Sequence, residues 1–305
     1  MTVRAIVVGS LNYDITVWVS RRPEGDETVH GDRCEENGGG KGANQAVAAA
    51  RLGAEVSMVG SVGSDSRGDY LVSQLDAAGV DRKHVYRGSG STGTALITID
   101  PEDVSIVVIA GTNGELGSAN VELASAEISR ADVLLLQGEV GVEAARTAAV
   151  LAAAASTKVV FNPAPFNEVV PAVLPLADVV IVNRREAEQL GDVQVPVLIT
   201  TLGARGCEVK VGSDITTIEA PKVEVADPTG AGGNRREQVR LVGGHLPGAM
   251  STHRVAGQPL PKRIGFEAFL RVGEDFVGIK SAPVLPVESE GPPVGRGDHV
   301  RKGFR

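Results

Sequence analysis

The stretch Asn37-Gly-Gly-Gly-Lys41-Gly-Ala-Asn44-Gln places four glycines, one Lys and two Asn at the entry to the Ala-rich run Ala43 to Leu52, which has the composition of a helix. Glycines let backbone approach a ligand closely. The stretch is not a P-loop, because Lys41 is followed by Gly42 rather than Ser or Thr and the glycine spacing differs. On spacing alone it suits a flexible turn as well as a binding loop.

Outward from it, short β-branched runs alternate with Ala-rich ones. Strands are predicted at Val3 to Val8, Val56 to Val59, Val133 to Leu136, Val159 to Phe161, Val179 to Val182 and Val197 to Thr200. Helices are predicted at Ala43 to Leu52, Tyr70 to Ala78, Val142 to Ala155 and Arg185 to Leu190. This is the βαβ rhythm of a parallel sheet, and the strands are almost continuously apolar, as strands covered on both faces are. Two regions alternate instead: Ile15 to Val19 with Thr28 to Arg33, and Thr94 to Ile99 with Ser105 to Ile109 across Asp100-Pro101-Glu102-Asp103. They predict antiparallel strands projecting from the α/β body, a small sheet able to close over a ligand or to serve as a dimer contact.

The whole chain has 305 residues, 42% hydrophobic and 22% charged, with 30 basic against 38 acidic side chains. That length buries one sizeable core. The acidic excess argues against nucleic acid as a partner. Ala5-Ile6-Val7-Val8 is too short for a signal-peptide core and no segment approaches a membrane span, so a cytoplasmic protein is expected. Cys34 and Cys207 form no C-x-x-C and the five His form no H-E-x-x-H, which leaves little support for a disulfide or a structural zinc.

Near the C-terminus, Asp227, Thr229 and Gly230-Ala231-Gly232 suit a strand end turning into a helix N-terminus, where unpaired N–H groups attract an anion. Gly233-Asn234-Arg235-Arg236 then supplies neither a carboxylate nor an apolar stripe. Residues 234–305 carry 12 Lys/Arg against 7 Asp/Glu, whereas residues 1–233 carry 18 against 31. The chain therefore divides into a body over 1–233 and a divergent segment over 234–305, whose scattered Pro and Gly predict little regular structure beyond a short helix at Phe266 to Val272. Translation out of frame and genuine divergence would look alike at this level.

Gly9-Ser-Leu-Asn12-Tyr-Asp14 follows the first predicted strand, so Asn12 and Asp14 join Lys41 and Asn44 in a polar ring suited to a sugar; an isolated N-x-D also suits a turn. Together with these, Gly39-Gly-Lys-Gly-Ala-Asn-Gln-Ala46, Asn162-Pro-Ala-Pro165, Asn183-Arg-Arg-Glu-Ala-Glu188, Thr201-Leu-Gly-Ala-Arg-Gly206 and Asp227-Pro-Thr-Gly-Ala-Gly232 resemble the motifs of the ribokinase branch of the PfkB sugar-kinase family, over residues 3 to about 232. The resemblance implies a ribokinase-like α/β fold with a mostly parallel sheet and a small β lid. It implies ATP-dependent phosphorylation of D-ribose, favoured over hexoses by the G-G-K-G-A-N-Q-A run.

It also implies residue roles. Asn12, Asp14, Gly40, Lys41, Asn44 and Glu139 would hold the sugar. Asn183, Thr201, Gly203, Gly206, Gly230 and Gly232 would line the ATP site. Asn183 and Glu186 would organise Mg²⁺ through water, and Asp227 and Thr229 would contribute to a monovalent-cation (K⁺) site. Members of the family read G-A-G-D, the Asp acting as general base. Here that position is Gly233. The alternatives are a non-catalytic sugar- or nucleotide-binding protein and a disrupted gene product.

Overall fold

Strands and helices alternate along residues 2–220, the part of the chain described by the computed structural model. In chain order the strands are β1 Arg4–Val8, β2 Asn12–Val19, β3 Gly31–Gly39, β4 Glu55–Val62, β5 Asp81–Arg87, β6 Gly93–Ile99, β7 Val104–Ile109, β8 Val133–Gln137, β9 Lys158–Asn162, β10 Val179–Asn183, β11 Val197–Thr201, β12 Cys207–Val211 and β13 Asp214–Ile218. The helices are α1 Lys41–Arg51, α2 Ser66–Ala77, α3 Ser118–Glu122, α4 Ser125–Arg130, α5 Val142–Ala155, α6 Val169–Val173 and α7 Arg184–Leu190. The expectations for Gly230, Gly232, Gly233, Asp227, Thr229 and the segment 234–305 lie outside the described residues.

Nine strands form the main sheet in the order β13-β12-β11-β10-β9-β8-β1-β4-β5, parallel from β11 through β5, with β12 and β13 antiparallel at one edge. Strand alternation sorts the core into two. Ile6, Val8, Leu134, Leu136, Val159, Phe161, Val180 and Val182 face α3 to α6. Ala5, Val7, Val133, Leu135, Val160 and Ile181 belong to the opposite face, where α1 and α2 pack on β1, β4, β5 and β8. On α5, Ala144, Ala145, Ala148, Ala149 and Ala152 are all fully buried, a stripe at helical spacing whose methyls bring the helix close to the sheet.

The other sheet is the lid, ordered β3-β2-β6-β7. The hairpin of β6 and β7 turns at the expected residues, since Asp100 accepts from the backbone N–H groups of Glu102 and Asp103. Two expectations are corrected. The strand predicted at Thr28 to Arg33 occupies Gly31–Gly39, so Asn37, Gly38 and Gly39 of the glycine stretch are strand rather than loop. The two lid hairpins also join through a parallel contact, β2 with β6, and not only antiparallel ones. Helix α2 begins earlier than predicted because Asp65 caps it, accepting from Gly68 N at 2.8 Å.

Candidate functional site

The carboxyl ends of parallel strands gather the sequence motifs on one side of the main sheet. Asn12 and Asp14 are not in a turn: β2 begins at Asn12, and period-2 alternation puts Asn12 and Asp14 on one face of the lid and Tyr13 on the other. Tyr13 instead ties the lid to the body. Its ring packs edge-on against Tyr70 and beneath the Arg67 guanidinium, and its hydroxyl donates to Glu36 at 2.9 Å. Burial pushes the Tyr13 phenol above its ordinary range, and the bond to Glu36 adds to the shift.

Opposite Asn12 and Asp14 lies the glycine backbone. Asn12 pairs with Gly39 and Asp14 with Asn37, and the Asp14 carboxylate lies over Gly39 where a side chain would otherwise stand. Gly40 has φ 89° and sits where a Cβ would come within 2.7 Å of Asn12 N, so the turn from β3 into α1 requires glycine. Gly42 is in the first turn of α1, and a Cβ there would lie 2.6 Å from both Gly9 C and Ser10 N. The β1–β2 turn and the α1 N-terminus are thus in direct backbone contact.

Helix propensity alone would make Gly42→Ala stabilising by about 1 kcal/mol. Overpacking against immovable backbone costs about 3 kcal/mol. The clash wins, so Gly42→Ala is expected to lower the unfolding free energy by about 2 kcal/mol in a denaturant titration; a rise of about 1 kcal/mol would mean that the two segments are not in contact.

Helix α1 has no side-chain cap of its own, since its N-cap is Gly40. Glu139 takes that role, accepting from Lys41 N at 2.9 Å and from Ser10 Oγ at 2.5 Å. An acid beside a helix N-terminus is favoured by the dipole. Glu139 is itself held through Gly138, whose N–H donates to Ala164 O at 3.0 Å and whose carbonyl accepts from Asn167 Nδ2 at 2.7 Å. The Asn162-Pro-Ala-Pro motif therefore fixes Glu139 beside the glycine turn. Lys41 is half-buried and Asn44 exposed, both on the first turns of α1.

Sequence reasoning missed Ser10 and Asn113. Asn113 is 1% exposed and bonds to Leu11 N, Leu11 O and Asn12 Oδ1 at 2.9, 3.1 and 2.8 Å. It lies a hundred residues from Asn12 with no local pattern to single it out.

The expected nucleotide-side residues follow β10 and β11. Asn183 and Glu186 form a capping box on α7, Asn183 Oδ1 accepting from Glu186 N and Glu186 Oε2 from Asn183 N, each at 2.9 Å. Thr201 ends β11, and Gly203 and Gly206 flank the turn into β12. From β1 to β10 the sheet spans three strand spacings, about 14 Å, so these residues are not in the cradle of Asn12 and Asp14 but beside it. Among the described residues no cluster of three His, Cys, Asp or Glu could hold a metal by itself. One Glu186 oxygen remains outside the capping box, a donor set that fits Mg²⁺ held largely by water and phosphate oxygens.

A polar cradle under a β lid, at the carboxyl ends of a doubly covered parallel sheet, marks a small-molecule site on a ribokinase-like fold. Residues 4–232 match the pfkB family of carbohydrate kinases, and the chain belongs to that family. The mouse ribokinase is 35% identical over 250 residues, covering 74% of this chain and 77% of the relative. The ribokinase of Bacillus subtilis (strain 168) is 35% identical over 237 residues, covering 74% and 80%. Among solved structures, the Thermotoga maritima ribokinase superposes with TM-score 0.66 at 27% identity, covering 75% of this chain and 82% of that one. A Cryptococcus neoformans ribokinase in complex with ADP gives TM-score 0.65 at 29% identity, covering 76% and 84%.

Proposed function

We propose that the cradle binds D-ribose, that the residues after β10 and β11 face ATP, and that the chain is built for transfer of the γ-phosphoryl group to ribose. The observation that carries this is the placement of Asn12 and Asp14 over the Gly39–Gly40 backbone, beside an α1 N-terminus that Glu139 holds. Asp14 accepts from sugar hydroxyls, Asn12 donates or accepts, Lys41 and Asn44 close the ring, and Gly40 lets the sugar approach the main chain. Asn183, Thr201, Gly203, Gly206, Gly230 and Gly232 line the nucleotide. Mg²⁺, when bound, supplies charge neutralisation of the phosphates; Glu186 and Asn183 hold its waters. Asp227 and Thr229 contribute to a K⁺ site. The protein acts in the cytosol; among the described residues no helix is long and apolar enough to cross a membrane.

The transfer step lacks its base, because Gly233 stands where the family has Asp. That substitution supports the second reading, a sugar-binding protein with little or no turnover. Calorimetry with D-ribose tests what both readings share: heat from the folded chain is expected, and its absence would remove both.

The same fold is proposed to pair through its lid. β7 is the outer strand, and Val104, Ile106, Val107, Val108 and Ile109 are all exposed, so apolar side chains project on both of its faces. A strand edge of this kind is self-complementary about a two-fold axis, and a second copy of the chain is the occupant it fits. Light scattering at micromolar concentration should give a dimer, and Val107→Lys a monomer; a monomeric unsubstituted chain would refute the pairing.

A further inference from the structure

We propose that Asn113 is a positioning residue that fixes which end of the Asn12 amide faces the sugar. The inference rests on the sugar reading of Asn12 and Asp14. A carboxamide has one accepting end and one donating end, nearly alike in shape, so a site built on Asn12 must specify which end it presents. Asn12 cannot do this by itself.

Asn113 can, because its own orientation is dictated by backbone. The Leu11 N–H only donates and the Leu11 carbonyl only accepts, so Asn113 Oδ1 lies 2.9 Å from Leu11 N and Asn113 Nδ2 lies 3.1 Å from Leu11 O. The second hydrogen on Nδ2 then points to Asn12 Oδ1 at 2.8 Å. Asn12 spends its accepting end on Asn113 and keeps Nδ2 for the ligand. No member of this chain of contacts titrates, so the polarity holds at every pH at which the protein is folded.

The result is a site with fixed polarity, a donor at Asn12 and an acceptor at Asp14. Neighbouring hydroxyls satisfy both, one accepting and the other donating. An anionic group, which only accepts, meets the Asp14 carboxylate unfavourably. The device is also placed at the base of the lid. Asn12 opens β2, Gly93 opens β6, and Asn113 follows β7 through Ala110; a Cβ on Gly93 would collide with Asn113 Nδ2 and lie 2.5 Å from Asn12 Oδ1. Asn113 is buried and both ends of its amide are engaged by Leu11 and Asn12, which is why its role is positioning rather than contact.

Asn113→Asp tests this in the full-length protein. The carboxylate still accepts from Leu11 N but can no longer donate, so the Asn12 amide should turn and donate to it. With ¹⁵N-asparagine labelling and no sugar present, the Asn12 side-chain hydrogens should move downfield and exchange more slowly. D-Ribose should bind about tenfold more weakly, the loss expected when one hydrogen bond becomes a mismatched pair. Asn12→Asp, which leaves Asn113 intact and presents an acceptor in place of the donor, should weaken ribose by a similar factor and serves if Asn113→Asp does not fold. Unmoved Asn12 resonances in folded Asn113→Asp, or unchanged ribose affinity in Asn12→Asp, would overturn the proposal. Failure of the unsubstituted chain to bind ribose would instead refute the sugar reading, and the sugar-free resonances would still decide the orientation.

Discussion

The purified chain should phosphorylate D-ribose about a hundredfold or more slowly than an intact relative, and Gly233→Asp alone should not restore the rate. General-base catalysis typically contributes about 10²–10⁴-fold, or about 3–5 kcal/mol of barrier. Glycine has no group that can take the proton of the attacking hydroxyl. Glu237 is the nearest acid in the sequence; were a helix to run on from Gly233, it would stand one turn on, about 6 Å further along the axis. A base at that distance is out of reach.

Restoring the carboxylate addresses one part only. Phosphoryl transfer depends mainly on positioning and on stabilising charge around the phosphates. The family resemblance implies Ala-rich helices after G-A-G-D, whereas residues 234–305 contain four Ala and a basic excess. If the break arose by a frame change, an adjacent reading frame of the gene should encode Asp-Ala-Phe-like residues and then Ala-rich segments. A coupled assay on Gly233→Asp is decisive: near-normal turnover would mean that the segment after Gly233 builds a working nucleotide site.

Asp14→Ala should weaken D-ribose binding by about a hundredfold, while far-UV circular dichroism stays unchanged. A carboxylate accepting from two hydroxyls makes two charge-assisted hydrogen bonds, each worth about 1.5–3 kcal/mol. Losing both costs about 3 kcal/mol at the low end, and each 1.4 kcal/mol is tenfold in affinity. Asp14→Asn keeps the shape and one acceptor, so it should lose about tenfold. Calorimetry measures both. An Asp14→Ala dissociation constant within about threefold of the unsubstituted value would remove Asp14 from the site.

Which parts of the fold could be read in advance follows from where its order comes from. Helix α5 was legible to the residue, Val142–Ala155, because its Ala stripe is repeated locally. The β6–β7 hairpin was legible from alternation around Asp-Pro-Glu-Asp. Strand β5, Asp-Arg-Lys-His-Val-Tyr-Arg, was not, since a mostly charged run gains its strand geometry only from pairing with β4. Strand β3 was displaced for the same reason: glycines carry no side-chain alternation, and register with β2 decides where the strand ends. At the site, Asn12, Asp14 and Lys41 lie in short local motifs. Ser10 and Asn113 act through hydrogen bonds to segments distant in sequence, which no local pattern reveals.

The outer lid strand also bears on how the chain survives synthesis. Ser105-Ile-Val-Val-Ile109 has no charge, no proline and high β propensity, the composition of a cross-β nucleus. Left uncovered, such a strand is open to edge-to-edge growth into insoluble aggregates, and the risk steepens as concentration rises during expression. One lysine at Val107 should therefore raise the recovered soluble fraction, by placing a charge in the exposed edge strand.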